Sequence, residues 1–243
     1  MKLIITEEQL RLIIENENKG RLLPLPVEMI DTPEKIGRMI ARYNEDKERR
    51  NFMGINIIGK FHINDVDPDL YDDISLRNLL KEVVSVRGDL ILNGSSVSEL
   101  PKLRYVEGDL ELEDTMTEGL PSLVEVGGDL NVNYTFLDEI PLLEKVGRIN
   151  LSDTGIISLP KLREAKTING NYSEIRFLPS LESVSGDVDL MMSQITDLPK
   201  LRYVGGRMLL CETPLADKLM EMNLSDEEIK NKFGVNDIIN IWN

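Results

Sequence analysis

Apolar residues return along this chain on two alternating spacings. From about residue 80 they first sit two apart, as in Leu90 and Leu92 or Leu110 and Leu112, with polar residues between them. Further on they sit three apart, as in Leu103 and Val106 or Leu123 and Val126. A spacing of two puts both side chains on one side of a strand. A spacing of three, opened by a proline, predicts a single 3₁₀ or α turn with its apolar side inward. The alternation is marked by Pro101, Pro121, Pro141, Pro160, Pro179 and Pro199, spaced 20, 20, 19, 19 and 20 residues apart. A period of that length predicts one structural unit stacked many times.

Seven units align in columns. The first inward column is Leu90, Leu110, Leu130, Ile149, Ile168, Val188 and Met208, and the second is Leu92, Leu112, Val132, Leu151, Gly170, Leu190 and Leu210. A hydroxyl follows in each unit: Ser95, Thr115, Thr135, Thr154, Ser173, Ser193 and Thr213. Its place between apolar columns predicts bonds to the backbone of the corner rather than a flat ice- or carbohydrate-binding array. A glycine after the second apolar pair (Gly108, Gly128, Gly147, Gly186, Gly206) permits the corner into the next strand. Each unit therefore reads as a strand, a polar corner and one helical turn. One unit cannot bury its apolar face alone, and stacking at about 4.8 Å per rung does so. Ile57 to Ile63 matches the same phrase and predicts an earlier rung, followed by an insertion near 64–79, acidic at first and helical after.

The pattern Leu-x-Leu-x-x-Thr-x-Leu-x-x-Leu-Pro resembles the leucine-rich repeat, with Ser or Thr where that family has Asn. The phrase Leu-Pro-x-Leu-x-x-Val-x-Gly-Asp-Leu-x-Leu is also similar to the L domains of growth-factor receptors and fungal cell-wall proteins. The resemblance covers roughly residues 80–218. It implies an α/β repeat fold, a right-handed solenoid with a parallel β-sheet, and recognition rather than catalysis. The disulfide-bonded caps of receptor L domains have no counterpart, because Cys211 is the single cysteine. The expected organisation is a helical N-terminal cap at 1–50, the solenoid at 51–213 and a helical C-terminal cap at 214–243. Thr6 and Thr32 mark helix starts in the first cap, and Thr213-Pro214 and Ser225 mark them in the last. Both caps have a structural task, since an uncapped coil leaves its core open. The opening Met1 to Gln9 resembles openings of unannotated tailed-bacteriophage proteins, which implies a phage origin and association with a virion.

A net charge of -15 argues against direct binding to a nucleic-acid backbone, which needs Lys and Arg, and against an anionic membrane surface. It leaves a basic protein partner or a metal ion as candidates. No apolar run reaches the roughly 20 residues of a membrane helix. The first residues turn polar too soon for a signal-peptide core, so a soluble protein made in the cytoplasm is expected.

The surface expected to bind is the outward side of the strands: Asp89, Asp109, Glu111, Glu113, Asp129, Asn131, Asn133 and Asp189. Stacking would bring Asp89, Asp109 and Asp129 onto neighbouring rungs, where like charges repel. A hard cation or a basic partner would relieve that cost, and so would bonds from each carboxylate to local amides, the favoured reading. No metal or cofactor is expected. His62 has no nucleophile or zinc-ligand spacing around it, and no glycine loop suited to phosphate is present. The expected function is a non-enzymatic protein-binding solenoid. A structural virion component, an acidic decoy of a nucleic-acid-binding protein and a polysaccharide-active β-helix stay open as alternatives.

Overall fold

The computed structural model of the chain describes residues 55–57, 59–63, 73–237 and 239–241. The expected N-terminal cap, the acidic start of the insertion and Trp242 lie outside them. Fifteen short strands carry the fold: β1 (Ile55–Ile57), β2 (Phe61–His62), β3 (Val83–Val86), β4 (Leu90–Ile91), β5 (Tyr105–Val106), β6 (Leu110–Glu111), β7 (Glu125–Val126), β8 (Leu130–Asn131), β9 (Lys145–Asn150), β10 (Glu164–Asn169), β11 (Ser183–Val184), β12 (Val188–Asp189), β13 (Tyr203–Val204), β14 (Met208–Leu209) and β15 (Ile239–Asn240). Among the described residues three helices join them: α1 (Asp73–Leu80), α2 (Pro214–Glu221) and α3 (Asp226–Phe233). Every strand pairing is parallel. The chain is a parallel β-solenoid of about six turns with about 20 residues per turn.

Each turn contributes to three faces. The first is the ladder through β2, β4, β6, β8, β9, β10, β12, β14 and β15. The second is a line of single bridges, Glu99 to Gly119 to Glu139 and then Ser158 to Phe177 to Asp197. The third runs through β1, β3, β5, β7, β9, β10, β11 and β13. Inside, the predicted columns meet: Leu90, Leu110, Leu130, Ile149, Ile168, Val188 and Met208 are buried, as are Leu103, Leu123, Leu143, Leu162, Leu181 and Leu201. Burying such a side chain contributes about 1.5–3 kcal/mol, so the aliphatic core is the main stabilising element.

The third face keeps the single turn expected after each proline and adds a strand that the sequence reading did not place there. The residues after each proline form one turn closed by a single bond, as from Leu103 N to Leu100 O at 3.3 Å and from Leu123 N to Leu120 O at 3.3 Å. They do not continue as a helix. The chain extends into β5, β7, β11 and β13, whose approach is bonded to the rung before: Arg104 N donates to Val84 O and Val124 N to Arg104 O, each at 2.8 Å. Only two residues separate Leu103 from Val106, too few to satisfy a helix internally. The β-branched Val106, Val126, Val146 and Val184 suit an extended chain, where each packs on its equivalent one rung away.

The corners are of two kinds. At the Gly-Asp corner the reason for glycine is close approach: a Cβ on Gly108 would lie 2.8 Å from the carbonyl carbon of Gly88, and one on Gly128 2.7 Å from that of Gly108. At the hydroxyl corner the reason is torsion. Gly94, Asp114, Tyr134, Asp153, Tyr172, Met192 and Glu212 all have φ between 53° and 66°. The hydroxyl that follows accounts for the turn: Oγ1 of Thr115, Thr135, Thr154 and Thr213 donates to the carbonyl three residues back at 2.7–2.8 Å. The column therefore serves the backbone, although Ser95 Oγ finds no partner among the described residues.

Two units are one residue short, and the structure shows where. Val106 and Leu110 are separated by Glu107, Gly108 and Asp109, whereas Val146 and Ile149 are separated by Gly147 and Arg148 alone. With no third residue to turn the corner, β9 and β10 run through it as six-residue strands that belong to both ladders.

Two helices and a strand follow the last regular rung. Thr213 caps α2, accepting from Ala216 N at 3.1 Å, and Ser225 with Glu228 forms a capping box on α3, which ends at Gly234 with φ 63°. The chain then returns as β15 on β14, so the last rung is covered by two helices and a strand. In the insertion, α1 buries Leu76, Leu79 and Leu80 against the first rungs.

The two corner types predict different costs. Gly94→Ala puts its Cβ in open space, so only the left-handed torsion is penalised, by about 1 kcal/mol. Gly108→Ala drives a methyl into the Gly88 backbone and is expected to cost about 3 kcal/mol. Urea denaturation of the two variants measures the difference.

Candidate functional site

The first face places the predicted residues in three outward columns. Asp89, Asp109 and Asp129 form the corner column, Glu111, Asn131 and Asp189 the central one, and Glu113 and Asn133 the one beyond. Register is set by the ladder: Ile91 stands beside Glu111, Glu111 beside Asn131, Asn131 beside Asn150 and Asn169 beside Asp189.

The expected stack of like charges is present, and it is neutralised locally. Asp89 Oδ1 accepts from Asp109 N at 3.0 Å, and Asp109 Oδ1 accepts from Asp129 N at 2.8 Å. Each carboxylate thus closes the corner of the following rung. The row ends on cations: Lys60 Nζ lies 3.6 Å from Asp89 Oδ2, and Arg148 Nη1 lies 3.4 Å from Asp129 Oδ2. Farther along, Asp187 repeats the motif. Its Oδ1 accepts from Arg207 N at 2.8 Å, and its Oδ2 takes the guanidinium at 2.7 Å. Those bonds from Arg207, side chain first and backbone second, hold the Asp187 carboxyl below the usual carboxylate range.

The central columns are ordered by amide groups. Asn131 Nδ2 donates to Glu111 Oε2 at 3.1 Å and to Glu113 Oε2 at 3.3 Å. Asn93 Oδ1 accepts from Glu113 N at 2.9 Å. Asp189 accepts from Asn171 Nδ2 at 3.3 Å and from Met191 N at 3.2 Å. Asn133 N donates to Asn131 Oδ1 at 3.3 Å, while Asn133 Oδ1 is sheltered and has no partner among the described residues. Between the two predicted groups the face continues through Asn150, Ser152, Asn169 and Asn171. Ser152 Oγ bridges Asn150 Oδ1 and Asn171 Oδ1, each at 3.1 Å. The predicted site stops at Asn133 and resumes at Asp189; the column positions of these four residues were the signal that joins them to it. One rung in from each end the central column turns apolar, with Ile91 beside His62 and Leu209 beside Asn240.

Other chemistry is sparse. No group of three or more His, Cys, Asp or Glu among the described residues is placed to hold a metal ion. Cys211 Sγ lies 3.7 Å from Asn240 O, and burial pushes its thiol up, away from the reactive thiolate form. His62 lies on β2 in register with Ile91. No helix among the described residues is long and apolar enough to cross a membrane. Shallow grooves cut the surface among the described residues, one of about 350 Å³ along the third face beside Gly127, Gly147 and Tyr203.

What the fold and this face define is a class, the parallel β-solenoid with a regular polar sheet face. Comparison of the chain with protein-family models, with curated proteins and with solved structures gives no match.

The carboxylate row has a separable electrostatic and bonding role. Asp109→Ala leaves the Asp129 amide without its acceptor and is expected to cost about 1–2 kcal/mol. Asp109→Asn keeps an acceptor and removes a like charge, so chemical denaturation should show it as stable as the parent or more so. For Asp187 the folded carboxyl titrates below the unfolded one, so its contribution is present above the unfolded value of about 3.9 and is lost as pH falls through the folded value. Stability against pH for Asp187→Asn should therefore lie below the parent at neutral pH and converge with it under acid.

Proposed function

We propose that the chain is a non-enzymatic protein-binding solenoid that presents its first face to a partner. The observation that carries this reading is the state of Glu111 and Glu113. Both are held in place by Asn131, and neither has an ion pair among the described residues, whereas the Asp89 to Asp129 row beside them ends on Lys60 and Arg148. Ordered, un-neutralised carboxylates on a rigid sheet favour a basic partner, because little side-chain entropy is lost when it binds. The cross-rung bonds along Asn131, Ser152 and Asn171 extend the same pre-ordered surface over several turns.

We read the coil as right-handed, as crossovers between parallel strands overwhelmingly are. Its Leu-x-Leu strands resemble leucine-rich repeats, although a strand ladder stands where that family carries helices. A phage origin rests on the opening nine residues.

The test is a charge reversal. A partner captured from the source organism and then purified should bind the Glu111→Lys/Glu113→Lys variant at least about tenfold more weakly by calorimetry. Unchanged affinity would remove this face from the reading.

A further inference from the structure

The second face carries large apolar side chains in water. Phe136 is 71% exposed, Tyr134 62% and Met116 59%. Met116 and Phe136 follow equivalent hydroxyls, Thr115 and Thr135, and so stand on consecutive rungs. Exposed aromatic and methionine side chains grouped in this way mark interaction surfaces, where both are enriched. Tyr134 adds a conformational argument. It holds φ 53° at the corner where Gly94 occurs two rungs earlier, a costly torsion for a bulky side chain that contributes nothing to the core.

Beside this ridge the surface is cut away by two glycines that the backbone does not require. Gly119 bridges Glu99 on one side and Glu139 on the other. A Cβ on it would meet nothing nearer than Glu139 Cγ at 3.8 Å, and one on Gly155 nothing nearer than Leu137 O at 3.6 Å. Neither has a left-handed φ. They contrast with Gly108 and Gly128, where a Cβ would strike backbone. Gly155 takes the Met116 and Phe136 position on the next rung, so the ridge ends in a depression. The missing side chain at Gly119 opens a groove of about 330 Å³ whose lining includes Pro101, Pro121, Glu99, Glu118, Asp138 and Glu139. Glu99 meets Lys81 Nζ at 3.1 Å; Glu118, Asp138 and Glu139 form no ion pair among the described residues.

Proline walls with carboxylates at the rim fit a long cationic side chain, its methylenes on the rings and its head at the acids. Phe136 and Met116 beside it fit an apolar side chain. We propose that the second face, from the Gly119 groove to the Met116–Phe136 ridge, docks a peptide segment that is both basic and apolar. The charge complementarity selects this occupant over an acidic or purely apolar one. This surface is distinct from the first face, and its residues do not overlap Glu111 or Glu113.

The probe is a short fluorescein-labelled peptide alternating Lys and Leu, with Lys–Gln and Glu–Leu peptides as controls, titrated against the full chain by fluorescence anisotropy. The Lys–Leu peptide is expected to bind, and Phe136→Ser to weaken it about tenfold. Gly119→Gln fills the groove without adding charge and is expected to weaken binding similarly at unchanged melting temperature. Glu111→Gln/Glu113→Gln, on the first face, should change it no more than about twofold. Equal binding of the Lys–Gln peptide, or affinity indifferent to Phe136→Ser and Gly119→Gln, would overturn the proposal as diffuse attraction to an acidic protein. Sedimentation showing a dimer that Phe136→Ser dissolves would also overturn it, assigning the face to a second copy. Failure of the first-face reading would show only in the Glu111 and Glu113 variants against their own partner.

Discussion

Each residue in this coil has its own equivalent, about 20 positions away, as its nearest neighbour along the axis. That constraint of in-register stacking decides what each column can contain. Aliphatic on aliphatic is favourable, and the inward columns from Leu90 to Leu210 keep apolar side chains at every rung but one, where Gly170 stands. Glycine on glycine is forced where backbones approach as closely as Gly88, Gly108 and Gly128 do. Aspartate on aspartate would be unfavourable alone. Here one oxygen of each carboxylate accepts the amide of the next rung, and cations close the ends of the row.

The same constraint gives meaning to small departures from the period. Dropping one residue between Val146 and Ile149, and again between Ala165 and Ile168, removes a corner and fuses two ladders into β9 and β10. The Asp of the Gly-Asp corner is lost with it, and Arg148 and Thr167 stand in that column instead. Arg148 is thereby placed to close the Asp row at its C-terminal end, next to Asp129. A spacing of 19 in place of 20 thus changes backbone, charge and face together.

Much of the scaffold was legible because repetition turns weak signals into columns. The strands at Leu90, Leu110 and Leu130, the hydroxyl-to-backbone bonds, the capped helices α2 and α3 and the earlier rung at Ile57 to Ile63 all follow from spacing. The strand of the third face was missed because Leu103 and Val106, three apart after a proline, match one helical turn as well as a tight turn running into a strand. Only the bonding partner separates the two, and it lies a full rung away. The corner glycines were identified without their reason: torsion matters at Gly94, while contact matters at Gly108, and contact cannot be read from a single rung. The second face left no periodic trace, since Met116, Phe136, Gly119 and Gly155 are departures from their columns rather than members of them.

Recognition in this molecule therefore belongs where equivalents differ, and the columns that repeat belong to the scaffold. All of this depends on bonds running from rung to rung on the third face. One chain of them carries the point: Arg104 N to Val84 O, Val124 N to Arg104 O, Glu144 N to Val124 O, Arg163 N to Glu144 O, Glu182 N to Arg163 O and Arg202 N to Glu182 O, all at 2.8–3.0 Å. Residue-resolved native-state hydrogen exchange measures them directly. In a stacked coil these six amides exchange only with opening of the whole array, at rates close to those of the Leu90 to Met208 strands. If they exchange as fast as exposed turn amides, the third ladder does not exist and the stacking account is wrong.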